Sequence, residues 1–175
     1  MSLFVIDVEA DNKSPASGSM VCFGAVLVAD TSKTFYGKTW PIVNTFNPEA
    51  LKVSGFSRED HRGFDSPEGV MLDFERWIKE VNIKDNPVFI SDNPAFDWQW
   101  INFYFDKWDI VNPFGFSARR IGDLYCGMKK DASLNQEWKR KYRKTKHTHN
   151  PVDDAMGNAE AIIAFREQLN LRIKL

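Results

Sequence analysis

The sequence predicts an α/β fold in which helices cover a mixed β-sheet. Segments rich in β-branched and aromatic residues dominate the first 43 positions, whereas a strand and helical segments alternate after position 67. Strands followed by alternating strand and helix are typical of a sheet with both antiparallel and parallel pairs. The chain has 175 residues, of which 43% are hydrophobic and 27% are charged. This length and composition indicate one globular domain over residues 1–175.

Three strands open the predicted sheet. Residues 3–8 form a short apolar run that ends in carboxylates, and residues 20–28 and 34–43 are rich in Val, Phe, Tyr, Trp and Ile. The turn-forming residues 29–33 separate the second strand from the third. Because a short turn joins neighbouring antiparallel strands, we predict that these three strands form an antiparallel meander.

The middle of the chain is predicted to contain an irregular segment, a helix and a further strand. Turn-forming residues crowd positions 47–65, which we expect to be irregular. Hydrophobic side chains recur at helical spacing between residues 67 and 81, which predicts an amphipathic helix. The apolar run 87–91 is short and predicts a buried strand.

Three helices are predicted after this strand. One runs from residue 93 onward, a short one covers residues 121–128, and the last covers residues 150–169. An Asn-Pro pair begins the first and the last of them, with Asn93 and Asn150 at the N-cap and proline at the first helical position. An aspartate follows four positions after each Asn, so it lies near the N-terminus of its helix, where the helix dipole favours a carboxylate.

The composition excludes several classes of protein. The longest apolar run, residues 21–29, is far shorter than the roughly 20 residues that span a bilayer, so no membrane protein is expected. The N-terminus has no basic start and no long apolar stretch, so no secretion signal is expected either. Cys22 and Cys126 lie about a hundred residues apart and form neither a Cys-x-x-Cys pair nor a Cys-His spacing typical of structural zinc. We therefore expect a cytoplasmic protein with reduced thiols.

One basic segment stands out in a chain whose net charge is −1. Residues 139–146 contain six Lys and Arg residues and no acid, whereas the rest of the chain has 17 bases against 24 acids. Lys141 and Arg143 of this segment are candidates for contacts with the phosphates of a nucleic acid. The alternative is an exposed, solvated loop.

Four acidic side chains are candidates for binding divalent cations. Asp7 and Glu9 are two positions apart on the first predicted strand and therefore point to the same face. Like charges this close repel each other unless a cation neutralises them. With Asp97 and Asp154 they offer hard oxygen ligands of the kind that Mg²⁺ and Mn²⁺ prefer. Taken singly, each acid is also consistent with a solvated strand end or a dipole partner.

A histidine near these acids would complete a hydrolytic site. His149 stands five positions before Asp154, and His147 is the competing candidate. A neutral imidazole on a loop can act as a general base toward water. The alternative is an exposed loop histidine without a catalytic role.

Seven aromatic residues crowd into positions 96–108, in and after the helix that begins near residue 93. Because they cover too many faces of one helix, we expect about half of them to pack in the core. A homodimer interface is the next interpretation, and stacking on nucleic-acid bases is a third for those near Asp97. The seven are Phe96, Trp98, Trp100, Phe103, Tyr104, Phe105 and Trp108.

The order of these motifs resembles a known enzyme family. Asp7-x-Glu9, Asn93-x-x-Phe96-Asp97 and His149-x-x-x-x-Asp154 resemble the three motifs of the DnaQ-like 3'-5' exonucleases, in the histidine variant called DEDDh. The segment 47–57 is also similar to the family's segment after the third strand. The resemblance covers residues 4–165, nearly the whole chain.

The resemblance implies a fold, a catalytic set and a cofactor. The fold is ribonuclease H-like, with a mixed five-stranded sheet in which parallel strands follow the antiparallel meander. The cofactor is two divalent cations, Mg²⁺ or Mn²⁺. The implied metal ligands are Asp7, Glu9, Asp97 and Asp154, with His149 as general base rather than His147. Asp153 is then expected to cap the last helix.

The resemblance also implies contacts with the 3' end of the substrate. Where many relatives carry Thr and Gly after the second acid, this chain has Ala10, Asp11 and Asn12. With the two basic residues named above, the predicted substrate-binding residues are Ala10, Asp11, Gly55, Phe56, Asn93, Phe96, Lys141 and Arg143.

The predicted function is a metal-dependent 3'-5' exonuclease. It would release nucleoside 5'-monophosphates from the 3' end of single-stranded RNA or DNA, with RNA slightly favoured by analogy with small free-standing relatives. One alternative is a DNA proofreading or repair exonuclease. Another is a nucleic-acid-binding module that keeps the fold without catalysis. A phosphoesterase for small molecules is a third, but no Gly-rich phosphate loop favours it.

Overall fold

A mixed five-stranded sheet organises the chain. The computed structural model describes residues 2–83 and 86–173. Its strands are β1 (Ser2–Ala10), β2 (Met20–Leu27), β3 (Thr34–Lys38), β4 (Pro87–Ser91) and β5 (Ala118–Arg120). They lie in the order β3-β2-β1-β4-β5. The pairs β1–β2 and β2–β3 are antiparallel, and the pairs β1–β4 and β4–β5 are parallel. The predicted meander and the mixed five-stranded sheet are therefore confirmed.

Helices cover both faces of this sheet. The helices are α1 (Pro48–Val53), α2 (Arg58–Arg62), α3 (Pro67–Val81), α4 (Pro94–Lys107), α5 (Ile121–Lys129), α6 (Glu137–Tyr142) and α7 (Pro151–Gln168). A 3-10 turn at Ala132–Leu134 lies between α5 and α6. Of the predicted helices, the one over residues 67–81 has the predicted bounds, and the three after it are present within two residues of the positions where they were expected. Among the described residues, no helix combines the length and the apolarity needed to cross a membrane.

The alternation of side chains along β1 divides the interior into two cores. Phe4, Ile6 and Val8 pack on the side of α3 and α4. Leu3 and Val5 pack on the other side, against α5, α6 and α7. Because Asp7 and Glu9 continue the odd-numbered series, they point to the same side as α7.

The segment 47–65 is more regular than predicted. It contains α1 and α2, so the expectation of an irregular segment is wrong. Asn47 caps α1 by accepting hydrogen bonds from the backbone N–H groups of Glu49 and Ala50. Ser57 caps α2 in a reciprocal capping box with Asp60.

The third strand is shorter than predicted, because the chain leaves the sheet at Lys38. The hydroxyl group of Thr39 donates a hydrogen bond to the carbonyl group of Met20, at 2.8 Å. The next backbone N–H, that of Trp40, donates to Asp65 at 3.0 Å. After Thr39 the backbone bonds to Asp65 and to the hydroxyl group of Ser19 instead of continuing the ladder with β2.

The aromatic residues of α4 and its C-cap pack into the core on their side of the sheet. Trp100, Tyr104 and Phe105 are fully buried. The other four, Phe96, Trp98, Phe103 and Trp108, are partly buried against the same core. All seven find neighbours because α4 contacts β1, β4 and β5 on one side and α3 on another. The three fully buried residues agree with the expectation that about half of the seven pack in the core, and the other four pack at its margin.

Candidate active site

Strand β1 and helix α7 bring three carboxylates together. Oxygen atoms of Asp7, Glu9 and Asp154 all lie within 4.8 Å of one another. Gly24 of β2, which pairs with Asp7, makes this approach possible. A Cβ atom at Gly24 would lie 2.4 Å from the backbone of Pro151, so any side chain there would push the start of α7 away from the sheet.

The fourth acid, Asp97, reaches the same strand from α4. Its Oδ1 atom accepts a hydrogen bond from the backbone N–H of Val8, at 3.2 Å, and its side chain is buried. Val8 lies between Asp7 and Glu9, so Asp97 stands beside the group of three. Its charge is one of the causes that raise the pKa of Asp7.

Burial and mutual repulsion make these acids hard to ionise. Burial, followed by the charges of Asp97 and Asp154, raises the pKa of Asp7 well above its usual value. Burial and the charge of Asp154 raise the pKa of Glu9 to about 7. Burial also raises the pKa of Asp97. A divalent cation would offset this repulsion, and a set of close carboxylate oxygens is the ligand type that Mg²⁺ and Mn²⁺ prefer. The residues therefore fit the cofactor that the sequence predicts.

The loop before α7 closes over Asp154, which is fully buried. The backbone N–H of His149 donates to its Oδ2 atom at 3.0 Å, and the guanidinium group of Arg143 donates to its Oδ1 atom at 2.9 Å. Arg143 reaches it across Gly157, where a Cβ atom would lie 2.5 Å from the guanidinium group. The sequence did not predict this ion pair, because it depends on the way the basic segment packs on α7.

Asp153 does not cap α7 as expected. The N-cap is Asn150, whose side chain accepts from the N–H groups of Val152 and Asp153. The carboxylate of Asp153 instead accepts from the hydroxyl group of Thr148, at 3.2 Å. Asn93 holds the N-cap position of α4, as predicted, although its side chain makes no capping hydrogen bond.

Two histidines flank the carboxylates. The Nδ1 atom of His149 lies 3.3 Å from Glu9 Oε1, and the His149 side chain is 47% exposed. The Nδ1 atom of His147 lies 2.7 Å from Asp154 Oδ1. The two imidazole rings are neighbours, with centroids 4.3 Å apart. Both candidate bases are thus at the site, and His149 is the one beside the acid pair of β1.

The basic segment lines a cleft that leads to Asp7. The cleft has a volume of about 430 Å³, and Lys139, Arg140 and residues 143–147 form one wall, whereas the predicted Lys141 does not line it. Part of the positive charge of the basic segment is neutralised within the protein, because Lys139 pairs with Asp92 and Lys141 pairs with Glu137. Asn158, one helical turn after Asp154, lines the same cleft with a buried side-chain oxygen that has no hydrogen-bond partner in the described residues.

The remaining predicted substrate-binding residues are spread around the end of β1. Ala10 is buried at the end of that strand. Gly55 and Phe56 line a separate pocket of about 570 Å³ between α1 and α2. Phe96 is half-buried on the first turn of α4 and packs edge-on against Trp100. Ala10 directly follows Glu9 in β1, whereas the pocket that Gly55 and Phe56 line contains none of the three carboxylates.

Asp11 is held inside the protein. Its Oδ2 atom accepts from Arg58 at 2.7 Å, and its Oδ1 atom accepts from the N–H of Ser19 at 2.5 Å. Its backbone carbonyl accepts from the N–H of Asn47. Arg58 also donates to the carbonyl of Val43, at 2.8 Å. The sequence did not reveal this arrangement, since the two partners are 47 positions apart and no motif joins them.

Solved nuclease structures are similar to this fold. The nuclease domain of 3'hExo, described as a DEDDh family member and bound to rAMP, matches with a TM-score of 0.77 and 19% identity. The match covers 99% of this chain and 96% of that chain. Escherichia coli Exonuclease I in complex with a dT13 oligonucleotide matches with a TM-score of 0.68 and 13% identity, over 97% of this chain and 42% of that chain.

Comparison at the level of sequence shows to which enzyme class and family the chain belongs. The 3'-5' DNA exonuclease Cap18 of Escherichia coli is 37% identical over 125 residues, which are 70% of this chain and 67% of that protein. The model of the 3'-5' exoribonuclease Rv2179c-like domain matches residues 2–165. The class of protein is thus a 3'-5' exonuclease, as the motifs predicted, and its fold is that of the DEDDh family member 3'hExo. Within that class, the chain belongs to the Rv2179c-like 3'-5' exoribonuclease domain family.

Proposed function

We propose that this chain removes nucleotides one at a time from the 3' end of single-stranded RNA and releases nucleoside 5'-monophosphates. The observation that carries the proposal is the group of Asp7, Glu9 and Asp154, whose oxygens lie within 4.8 Å of one another beside the imidazole of His149. The relatives support the same chemistry, since the 3'hExo structure holds rAMP, a nucleoside monophosphate, and Exonuclease I holds an oligonucleotide.

The carboxylates are proposed to hold the cofactor. Asp7, Glu9 and Asp154, with Asp97 beside them, would hold two divalent cations, Mg²⁺ or Mn²⁺. When bound, such ions supply the positive charge that stabilises the attacking and leaving oxygens of an in-line phosphoryl displacement. The hydrogen bond from Val8 to Asp97 and the bonds from Arg143 and His149 to Asp154 fix the orientation of these two carboxylates.

The imidazole of His149 is proposed to take the proton of the attacking water. Its Nδ1 atom faces Glu9, which leaves the Nε2 atom as the proton acceptor. The water oxygen forms a bond to the last phosphorus, and the bond from that phosphorus to the 3' oxygen of the preceding nucleotide breaks. The products are a nucleoside 5'-monophosphate and an oligonucleotide that ends in a new 3' hydroxyl group.

DNA is the second candidate substrate. The matching family model describes exoribonucleases, whereas the Escherichia coli relative is a DNA exonuclease. The nucleotide that is removed differs in the 2' hydroxyl group, which RNA alone presents. The basic cleft would contact phosphates, which both substrates share. The preference therefore rests on how the protein contacts the terminal sugar.

The proposal is tested with 5'-labelled RNA and DNA oligonucleotides of one sequence. Each is incubated with Mg²⁺, with Mn²⁺ or with a chelator. We expect stepwise shortening from the 3' end that the chelator abolishes, with RNA shortened faster. Oligonucleotides with one ribose or one deoxyribose at the 3' end then show whether the terminal sugar alone sets the preference.

The control for this experiment is Asp7→Asn, which keeps the shape of the side chain but removes its charge. We expect no shortening by this variant. Oligonucleotides that stay intact with every metal would refute the nuclease and favour a binding module. Shortening that survives the chelator would refute the metal-dependent mechanism.

We also propose that the nuclease forms one domain over residues 1–175 and acts in the cytoplasm. The single five-stranded sheet, which takes strands from both halves of the chain, supports one domain. The cysteines Cys22 and Cys126, which are free in the described residues, support the cytoplasm. A homodimer stays a prediction, although the aromatic residues of α4 that suggested it pack in or against the core of the chain.

A further inference from the structure

A second set of metal-ligating side chains overlaps the carboxylate site. Ligand atoms of His147, His149 and Asp154 all lie within 4.8 Å of one another. This set differs in chemistry from Asp7, Glu9 and Asp154, because two of its three donors are imidazole nitrogens. Only Asp154 is common to both sets.

The backbone holds the two imidazoles on one side of Asp154. His149 has a φ of +61°, in the left-handed region that a residue with a side chain rarely adopts. Two hydrogen bonds maintain this turn, since the N–H groups of Thr148 and His149 donate to the Asp154 carboxylate at 3.3 Å and 3.0 Å. With the loop held in this way, the two rings lie 4.3 Å apart.

The set is open to ions from solvent. The side chain of His147 is 56% exposed and that of His149 is 47% exposed, while the third ligand is buried and oriented by Arg143. Two imidazoles and one carboxylate leave a fourth position free, as in catalytic zinc sites with three protein ligands. Imidazole suits Zn²⁺, whereas Mg²⁺ prefers oxygen ligands alone.

We propose that His147, His149 and Asp154 bind one Zn²⁺ ion and that this ion inhibits the nuclease. Inhibition rests on the proposed function, because the ion would bind the imidazole that takes the proton from water. It would also engage Asp154, which the catalytic cations need. His147 then has a role of its own, as the ligand that makes this loop a zinc site.

The experiment measures metal binding without substrate and without Mg²⁺. Zn²⁺ affinity is obtained by competition with a chromophoric chelator, and Co²⁺ is used as a spectroscopic substitute, since its visible absorption reports nitrogen-containing tetrahedral sites. The variants are His147→Gln, which removes one ligand, and Asp7→Asn, which alters only the carboxylate set. Lys146→Gln is the matched control, because it changes an exposed neighbour in the same loop that is no ligand.

We expect His147→Gln to lose the Co²⁺ absorption and at least about 10-fold in Zn²⁺ affinity, since even residues that only orient metal ligands cost that much. Asp7→Asn and Lys146→Gln should keep both. Thermal unfolding of each variant checks that it is folded. Unchanged affinity in His147→Gln would overturn the site, as would a loss in Asp7→Asn equal to that in His147→Gln.

The inhibition is measured on Mg²⁺-supported cleavage of labelled RNA. The Zn²⁺ concentration that halves cleavage should rise at least about 10-fold in His147→Gln, in parallel with the loss of affinity. If Zn²⁺ binds the three residues and cleavage continues, the inhibitory role is overturned. If no cleavage occurs even without Zn²⁺, the proposed function fails, while the affinities measured without substrate still decide whether the zinc site exists.

Discussion

At the scale of single residues, His149 is held by contacts that suit a general base. Its backbone N–H is fixed on Asp154, so the position of the ring is set by the same acid that is proposed to bind metal. Its ring faces Glu9 and is half exposed, which leaves room for water and a phosphodiester. The backbone contact does not depend on the imidazole, so the ring can be removed without removing the hydrogen bond.

The variant His149→Ala tests this role. We expect turnover to fall by about 10²–10⁴, the usual contribution of a general base. The Mg²⁺ concentration that gives half-maximal activity and the KM should change little, since the four carboxylates remain. Steady-state rates on labelled oligonucleotides over a range of Mg²⁺ concentrations measure all three quantities. Turnover equal to that of the wild type would show that another group takes the proton.

Arg58 has a role in stability that its position on a short surface helix does not suggest. Its guanidinium group neutralises Asp11, which has no exposed surface, and ties it to the carbonyl of Val43. Removing one partner of a buried ion pair leaves an uncompensated charge in the interior. The pair therefore joins the end of β1 to the start of α2, and the bond to Val43 adds the segment before α1.

We expect Arg58→Met to lower the free energy of unfolding by about 3–5 kcal/mol. Arg76→Met is the matched control, because Arg76 pairs with Asp73 at 2.8 Å while both side chains are more than 60% exposed. Ion pairs at the surface contribute little, so the control should change stability far less. Urea unfolding followed by circular dichroism measures both variants. Equal effects would mean that the Asp11 pair is not a structural link.

At the scale of elements, the contact between β2 and the start of α7 sets the geometry of the site. Gly24 and Pro151 meet at a distance that excludes a side chain, and the same turn of α7 presents Asp154 to Asp7 and Glu9. A methyl group at position 24 would have to displace backbone atoms rather than a flexible side chain. The distance between the acids of β1 and Asp154 of α7 therefore depends on Gly24.

Gly24→Ala is expected to lower stability by about 1–3 kcal/mol, the usual cost of overpacking, and to reduce activity as well. Gly127→Ala in α5 is the matched control, since a Cβ atom there would have no neighbour within 4 Å. Alanine favours helix over glycine by about 0.5–1 kcal/mol, so the control should be slightly more stable and equally active. Unfolding curves and cleavage rates of both variants check this. Full activity in Gly24→Ala would show that α7 tolerates displacement.

The sequence predicts most elements, and the failures have physical causes. The meander, α3 and the helices that begin at Asn-Pro pairs depend on local patterns, which the sequence displays directly. The helices α1 and α2 have only six and five residues, too few to show a helical period. The cap of α1 was visible, because Asn47-Pro48 repeats the pair that begins α4 and α7, although the Asn-Pro pairs at positions 86 and 112 begin no helix. The strand β5 has three residues and gains its pairing only from β4.

The candidate site is predictable to a similar degree. The four acids and His149 belong to motifs with fixed spacing, so the sequence indicates them before any contact is known. The contacts of Arg143 with Asp154 and of Arg58 with Asp11 depend on tertiary packing. The same holds for the approach of the His149 ring to Glu9, which is a contact between distant parts of the fold, and for the ring of His147, which lies beside it and contacts Asp154.

At the scale of the whole molecule, the buried and clustered acids lower the free energy of unfolding of the metal-free protein when they ionise. The pKa of Glu9 is raised to about 7 in the fold from its ordinary value of 4.5. The stability linked to this group is therefore complete below pH 4.5 and is lost as the pH rises through 7. Above that pH the ionised carboxylate opposes folding until a cation neutralises it.

Glu9→Gln should therefore stabilise the metal-free protein at pH 8 by about 1–3 kcal/mol and change it much less at pH 5. Excess Mg²⁺ should reverse the order at pH 8, because a cation at 100 times its Kd adds about 2.7 kcal/mol to the protein that binds it. Glu80→Gln, at an exposed position on α3, is the control and should respond to neither pH nor Mg²⁺. Urea unfolding at both pH values, with chelator and with Mg²⁺, gives the comparison. If Mg²⁺ stabilised Glu9→Gln as much as the wild type, Glu9 would not belong to the metal site, and its raised pKa would reflect burial alone.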